Sequence, residues 1–190
     1  LVEAIELEGE SQARPLREGL ICHSSVQHRE ATDGRTQLYA SVLRGVYMRW
    51  LGSFLRYAAG LRLAPYVPVP HTVAARMLTL AKLRPGEAVA DLGCGDGRLL
   101  RLAVSEQFGA ASAVGYELDE SLVQQARATS AGDPRVEVKH EDALHAELAG
   151  CDVVTLYLTE RGNASVLPLL RDTLKPNARI VSYVWGMGPE

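Results

Sequence analysis

The stretch Ala88-Val89-Ala90-Asp91-Leu92-Gly93-Cys94-Gly95-Asp96-Gly97-Arg98 decides the fold. A short apolar run ends in an acid. A loop with glycine at every second position follows, and then the apolar spacing of a helix begins. Glycine is needed where the backbone turns tightly and a ligand must approach it closely. A glycine-rich loop says little alone, but between a strand and a helix it marks a ligand-binding turn.

Outward from this turn the pattern alternates. Ala111 to Glu117, Val136 to Lys139, Asp152 to Leu158 and Arg179 to Val184 read as further strands. Gly97 to Gln107, Glu120 to Ser130 and Ser165 to Leu174 read as helices between them, and His71 to Leu83 as a helix before the first strand. Strands alternating with helices predict an α/β fold, a doubly wound and mainly parallel sheet with helices on both faces. Ligands of such sheets sit at the carboxyl ends of the strands.

The loop spacing separates two cofactor classes. A dinucleotide loop reads GxGxxG, with its third glycine three residues after the second. Here Gly97 follows Gly95 by two, and Arg98 holds the dinucleotide position. S-adenosylmethionine (SAM) has no pyrophosphate, but it carries a cationic amine and a sulfonium that a carboxylate such as Asp91 favours. Glu117 ends the second strand, where an acid accepts hydrogen bonds from the two hydroxyls of a ribose. Asp142, just past the third strand, is the candidate acceptor for an adenine amino group, with Glu141 as its neighbour.

These three signals together resemble the class I SAM-dependent methyltransferases over roughly Ala64 to Trp185. The resemblance implies a Rossmann-like fold with SAM as cofactor. It implies a cofactor-binding set of Asp91, Gly93, Cys94 and Gly95 at the methionine end, Glu117 at the ribose and Asp142 at the adenine. Tyr157, at the end of the fourth strand, is assigned either to the methionine part or to a substrate amine, against the plain reading of an aromatic at the sheet edge. Pro65-Tyr66-Val67-Pro68, Val114-Gly115-Tyr116-Glu117-Leu118 and Ser165-Val166-Leu167-Pro168-Leu169-Leu170 look like the small lysine methyltransferases of mitochondrial carrier and ATP synthase c-subunit proteins. Val153 to Leu158, and Val181-Ser182-Tyr183 with Gly186-Met187-Gly188, look equally like their bacterial and plant relatives.

This implies methyl transfer to a protein lysine. Two alternatives stay open: a small-molecule methyltransferase, or a truncated SAM-binding protein without activity. No Asn/Asp-Pro-Pro-aromatic motif follows the fourth strand, which lowers the prior for DNA adenine or glutamine methylation. His140, His145 and Glu160 are secondary candidates for proton handling, and no catalytic residue is assigned. Three widely spaced cysteines, Cys22, Cys94 and Cys151, form no metal-ligating cluster, so no zinc site is expected and a reducing compartment is favoured.

Composition agrees with a globular protein. The chain has 190 residues, 47% apolar and 23% charged. That excludes a disordered, collagenous or disulfide-stapled chain. Net charge is −3 but uneven. Residues 1–34 hold seven acids and three bases, residues 35–86 eight bases and no acid, and residues 87–190 sixteen acids and nine bases. Residues 1–38 read as a flexible extension, 39–62 as a basic amphipathic helix and 63–190 as the methyltransferase domain. Tyr39, Leu43, Val46, Tyr47, Trp50, Phe54 and Ala58 recur at helical spacing, either as a packing face or as a face for peripheral membrane contact. No nucleic-acid-reading motif accompanies the bases. An acid-bearing start unlike a transit peptide leaves an intracellular location, cytoplasmic or mitochondrial, as the expectation. The resembled fold ends in two more strands than this chain supplies after Val184. The C-terminal strands are therefore read as missing, and 179–184 is expected to be an exposed sheet edge.

Overall fold

A computed structural model describes residues 2–8, 12–16 and 51–187. Its strands are β1 (Val2–Glu8), β2 (Gln12–Leu16), β3 (Ala88–Leu92), β4 (Ser112–Glu117), β5 (Val136–His140), β6 (Val153–Leu156) and β7 (Arg179–Tyr183). Its helices are α1 over residues 51–58, α2 (His71–Leu80), α3 (Arg98–Ala103), α4 (Glu120–Ser130) and α5 (Glu160–Thr173).

The strand order is β2-β1-β7-β6-β3-β4-β5. The run β7-β6-β3-β4-β5 is parallel throughout, as the alternation predicts. Chain order runs outward from β3 in both directions, so the crevice between β3 and β6 is the switch point where ligands of open sheets bind. β6 is buried at all four positions and β3 at its last four, which is why both read as continuous apolar runs. One apolar cluster joins Met77 and Leu78 of α2, Leu99 and Leu100 of α3 and Val123 of α4. A second joins Leu148, Leu156, and Val166 and Leu170 of α5.

Two helix boundaries have local causes. Asp119 caps α4, its side chain accepting from the Ser121 and Leu122 amides. Thr159 caps α5 by accepting from the Gly162 amide, so this helix begins five residues before Ser165 and carries Pro168 inside it. Of the segment expected as a basic helix, 39–50 lies outside the described residues and 51–58 is helical. Phe54 and Ala58, expected on its packing face, are exposed, while Ser53 is buried.

The N-terminal expectation is corrected. Residues 2–8 and 12–16, within the stretch expected as a flexible extension, form a hairpin, and β1 lies antiparallel on β7 with Val2 opposite Tyr183 and Glu6 opposite Arg179. β7 is therefore an interior strand, not the exposed edge expected of 179–184. The physical reason is the unpaired row of amides and carbonyls along β7, which any extended segment of the chain can satisfy. Removing residues 1–16 is expected to lower the Tm by roughly 5 °C and to cause concentration-dependent self-association, read by calorimetry and light scattering. A truncated chain that stays monomeric with an unchanged Tm would show that the hairpin contributes nothing to the sheet.

Candidate active-site cleft

The carboxyl end of β3 is built for close approach. Gly93, Gly95 and Gly97 all have positive φ, at 82°, 55° and 74°. At Gly95 a side chain is also excluded by space, because a Cβ there would lie 2.8 Å from the Tyr66 ring. The loop is tied to β4 by the Gly93 and Cys94 amides, which both donate to the Tyr116 carbonyl.

The next strand end supplies Glu117, which is buried. Its Oε2 accepts from the Gly95 amide at 3.1 Å and its Oε1 from the Asp119 amide at 2.8 Å. Each oxygen keeps acceptor capacity beyond these bonds, so the carboxylate can also take a pair of neighbouring hydroxyls. Asp91 is buried beside it and accepts from the Thr155 hydroxyl at 2.7 Å. Burial pushes the Asp91 carboxyl up to about 7, against the Thr155 bond, and the charges of Glu117 and Asp96 add to the rise. Asp96 behaves oppositely. Its burial is outweighed by hydrogen bonds and charge from Arg98, which hold it below the usual carboxylate range.

Asp142 caps the short 3₁₀ turn Ala143–His145 and accepts from the Leu144 amide at 3.0 Å. Tyr157 follows β6, its ring tilted against Tyr183 at a centroid distance of 4.8 Å. Burial, with Tyr183 beside it, raises the Tyr157 phenol, which therefore stays protonated at neutral pH. The Cys94 thiol is pushed far up by burial and by the charges of Asp91 and Glu117, so it is no nucleophile.

Asp91, Gly93, Cys94, Gly95, Glu117, Asp142 and Tyr157, all singled out from the sequence, line one cleft. Glu141 also lines it. His140, whose ring meets the Leu118 carbonyl, and His145 and Glu160 are exposed and do not line it. Sequence reasoning missed Arg62, Tyr66, Arg98 and Thr155. Arg62, Tyr66 and Arg98 line the cleft, and Thr155 holds Asp91. Tyr66 and Arg62 come from a proline-rich segment far from the loop, and only the folded chain brings them there.

The buried Asp91 has a consequence for stability. Its folded pKa lies above its unfolded one, so it costs stability that is absent below pH about 4, grows between about 4 and 7, and is full above 7. Asp91→Asn, which keeps the acceptor for Thr155, is expected to raise the Tm by roughly 5 °C or more at pH 8. At pH 4.5 the two proteins should melt within about 2 °C of one another. An equal difference at both pH values would show that Asp91 is not desolvated.

The set of acceptor carboxylates and bare glycines suits a ligand with a vicinal diol, a nearby positive charge and a part lying against bare backbone. SAM has all three. Known proteins resemble the chain over this same region. Residues 91–189 match the model of the ANTKMT methyltransferase domain. A protein-lysine N-methyltransferase of Saccharolobus islandicus is 34% identical over 122 residues, covering 63% of this chain and 75% of that protein. A lysine N-methyltransferase of the ATP synthase c-subunit, from Xenopus laevis, is 43% identical over 63 residues, which is 33% of this chain and 26% of that enzyme. Among solved structures, an RNA methyltransferase from Salinibacter ruber in complex with S-adenosyl-L-homocysteine superposes with a TM-score of 0.59 at 36% identity, covering 64% of this chain and 80% of that one. With the glycine loop, the acids at successive strand ends and the parallel sheet all in agreement, the chain belongs to the ANTKMT methyltransferase family of SAM-dependent enzymes.

Proposed function

We propose that this enzyme methylates the side-chain amine of a protein lysine, with the cofactor in the cleft at the ends of β3, β4 and β5. The observation that carries the acceptor class is the 34% identity to a protein-lysine N-methyltransferase over three quarters of that protein; the cleft itself is charged for the cofactor. Five carboxylates line it (Asp91, Asp96, Glu117, Glu141 and Asp142) against two arginines, Arg62 and Arg98, each already engaged by a carboxylate. Such a lining favours a cationic ligand such as SAM.

In this reading Glu117 accepts from the ribose hydroxyls, Asp142 from the adenine amino group, and Asp91 faces the positive end of the cofactor. Gly93 and Gly95 leave room for its methionine part, with Cys94 filling the space behind them. Bound SAM supplies an electrophilic methyl group for in-line displacement. The chain supplies position, which is most of what such a reaction needs. A lysine amine has an ordinary pKa near ~10.4 and attacks only when deprotonated. The neutral Tyr157 phenol offers its oxygen as acceptor to an N–H of that amine and so orients the lone pair. Glu160, exposed at the start of α5, does not line the cleft.

We propose further a peripheral membrane contact through 39–62, of which 51–62 is described; there Arg62 is turned inward and Arg56 is the exposed base, 3.9 Å from Asp119. Phe54, Leu55 and Leu61 are exposed, as is the Arg56 side chain. Among the described residues no helix is long and apolar enough to cross a membrane. Flotation with anionic but not neutral liposomes is the expected result, and equal flotation on both would remove the basic face from the account.

Two measurements test the main reading. Methyl-labelled SAM added to an extract from cells lacking the enzyme should label protein lysine. Label in RNA or a small metabolite would overturn the acceptor class. SAM affinity should rise as pH rises through about 7, because Asp91 must lose its proton to favour a cation, and binding should release that proton. Calorimetry in two buffers of different ionisation enthalpy reads this directly. An affinity flat from pH 6 to 8 would remove Asp91 from the cofactor site.

A further inference from the structure

The cleft holds one cation whose place the methyl-transfer reading leaves unexplained. Arg62 lies just after α1, and its side chain is only 8% exposed. Its Nη2 donates to Asp119 Oδ2 at 2.8 Å, and its Nη1 lies 3.8 Å from Glu117 Oε1. Asp119 divides its two oxygens. Oδ1 caps α4, and Oδ2 takes the arginine. The Asp119 amide meanwhile donates to the same Glu117 oxygen that Arg62 faces. One guanidinium thus spans two carboxylates that would otherwise repel each other.

Glu117 needs that cation. It shares the cleft with Asp91, whose carboxyl its charge already helps to raise. Arg98, the other arginine of the lining, is spent on Asp96 and on the Val69 carbonyl. Among the described residues Arg62 is the cation within 4 Å of Glu117. A buried carboxylate left without a counter-charge turns toward water and loses the orientation that receives a pair of hydroxyls.

We propose that Arg62 is a positioning residue for the cofactor, holding the Glu117 carboxylate in place and thereby setting the affinity for SAM. This rests on the reading that Glu117 receives the ribose. It differs from a plain staple between the segment after α1 and α4, which would affect stability alone.

The test is a double-mutant cycle in binding, read by calorimetry with SAM and with S-adenosylhomocysteine on the full chain. Arg62→Gln should weaken both ligands about tenfold, and Arg62→Lys should recover part of the loss. In a Glu117→Gln background, Arg62→Gln should change either affinity by less than about twofold. With labelled SAM at saturation, turnover of Arg62→Gln should stay within about twofold of the parent, a KM effect without a kcat effect. Additive losses in the cycle, or a lowered Tm with unchanged affinity, would make Arg62 a staple and overturn the proposal. If Glu117→Gln alone leaves both affinities unchanged, the ribose assignment fails and Arg62 falls with it. That outcome is distinct from one in which Glu117→Gln weakens binding and Arg62→Gln does not. Should Arg62→Gln fail to fold, the Lys variant carried through the same cycle makes the decision.

Discussion

The hydrogen bond from the Gly95 amide to Glu117 Oε2 joins the ends of two neighbouring parallel strands across the mouth of the cleft. Most of the site follows from it. The bond requires Gly95 in a left-handed conformation with no side chain, since Tyr66 occupies the space a Cβ would take. Glu117 is buried, and the Asp119 amide and Arg62 lie on its other oxygen. β4 must also pack tightly on the loop. A Cβ at Gly115 would sit 2.6 Å from both Cys94 Sγ and Leu100 Cδ1, so that strand position is closed to any larger residue.

The same wall shows how a stable fold accommodates a costly site. Asp91 is desolvated and sits near two other acids, so its charged form is disfavoured until a positive ligand arrives. Thr155, wholly buried on β6, supplies one partial compensation. The two apolar clusters on the faces of the sheet supply the stability that this carboxyl removes. Each fully buried Leu or Val contributes about 1.5–3 kcal/mol, so a handful of them offsets one strained acid. That division between rigid sheet and unfavourable strand ends is what a preorganised electrostatic site requires.

Much of this was legible in the sequence because it is local. β3, its glycine loop, and the acids Glu117 and Asp142 lie within elements whose period and punctuation are plain, and all seven candidate residues line one cleft. What the sequence hid is non-local. The hairpin of β1 and β2 has only a broken alternation of apolar and acidic residues, Val2-Glu3-Ala4-Ile5-Glu6-Leu7-Glu8, and its place depends on the bare edge of β7 more than 160 residues away. Arg62 reads as one more base in a run without acids, and only the folded chain brings it to Asp119, 57 residues on. Thr155 reads as an ordinary strand residue until its hydroxyl meets Asp91.

The central claim is that the acids at three successive strand ends jointly define one adenosyl site. A crystal structure of the full chain with S-adenosylhomocysteine tests it most directly. The account predicts both ribose hydroxyls within hydrogen-bond distance of Glu117, the adenine amino group at Asp142, and the methionine part lying against Gly93 and Gly95. An adenosyl group bound with its ribose away from Glu117, or outside this cleft, would contradict it.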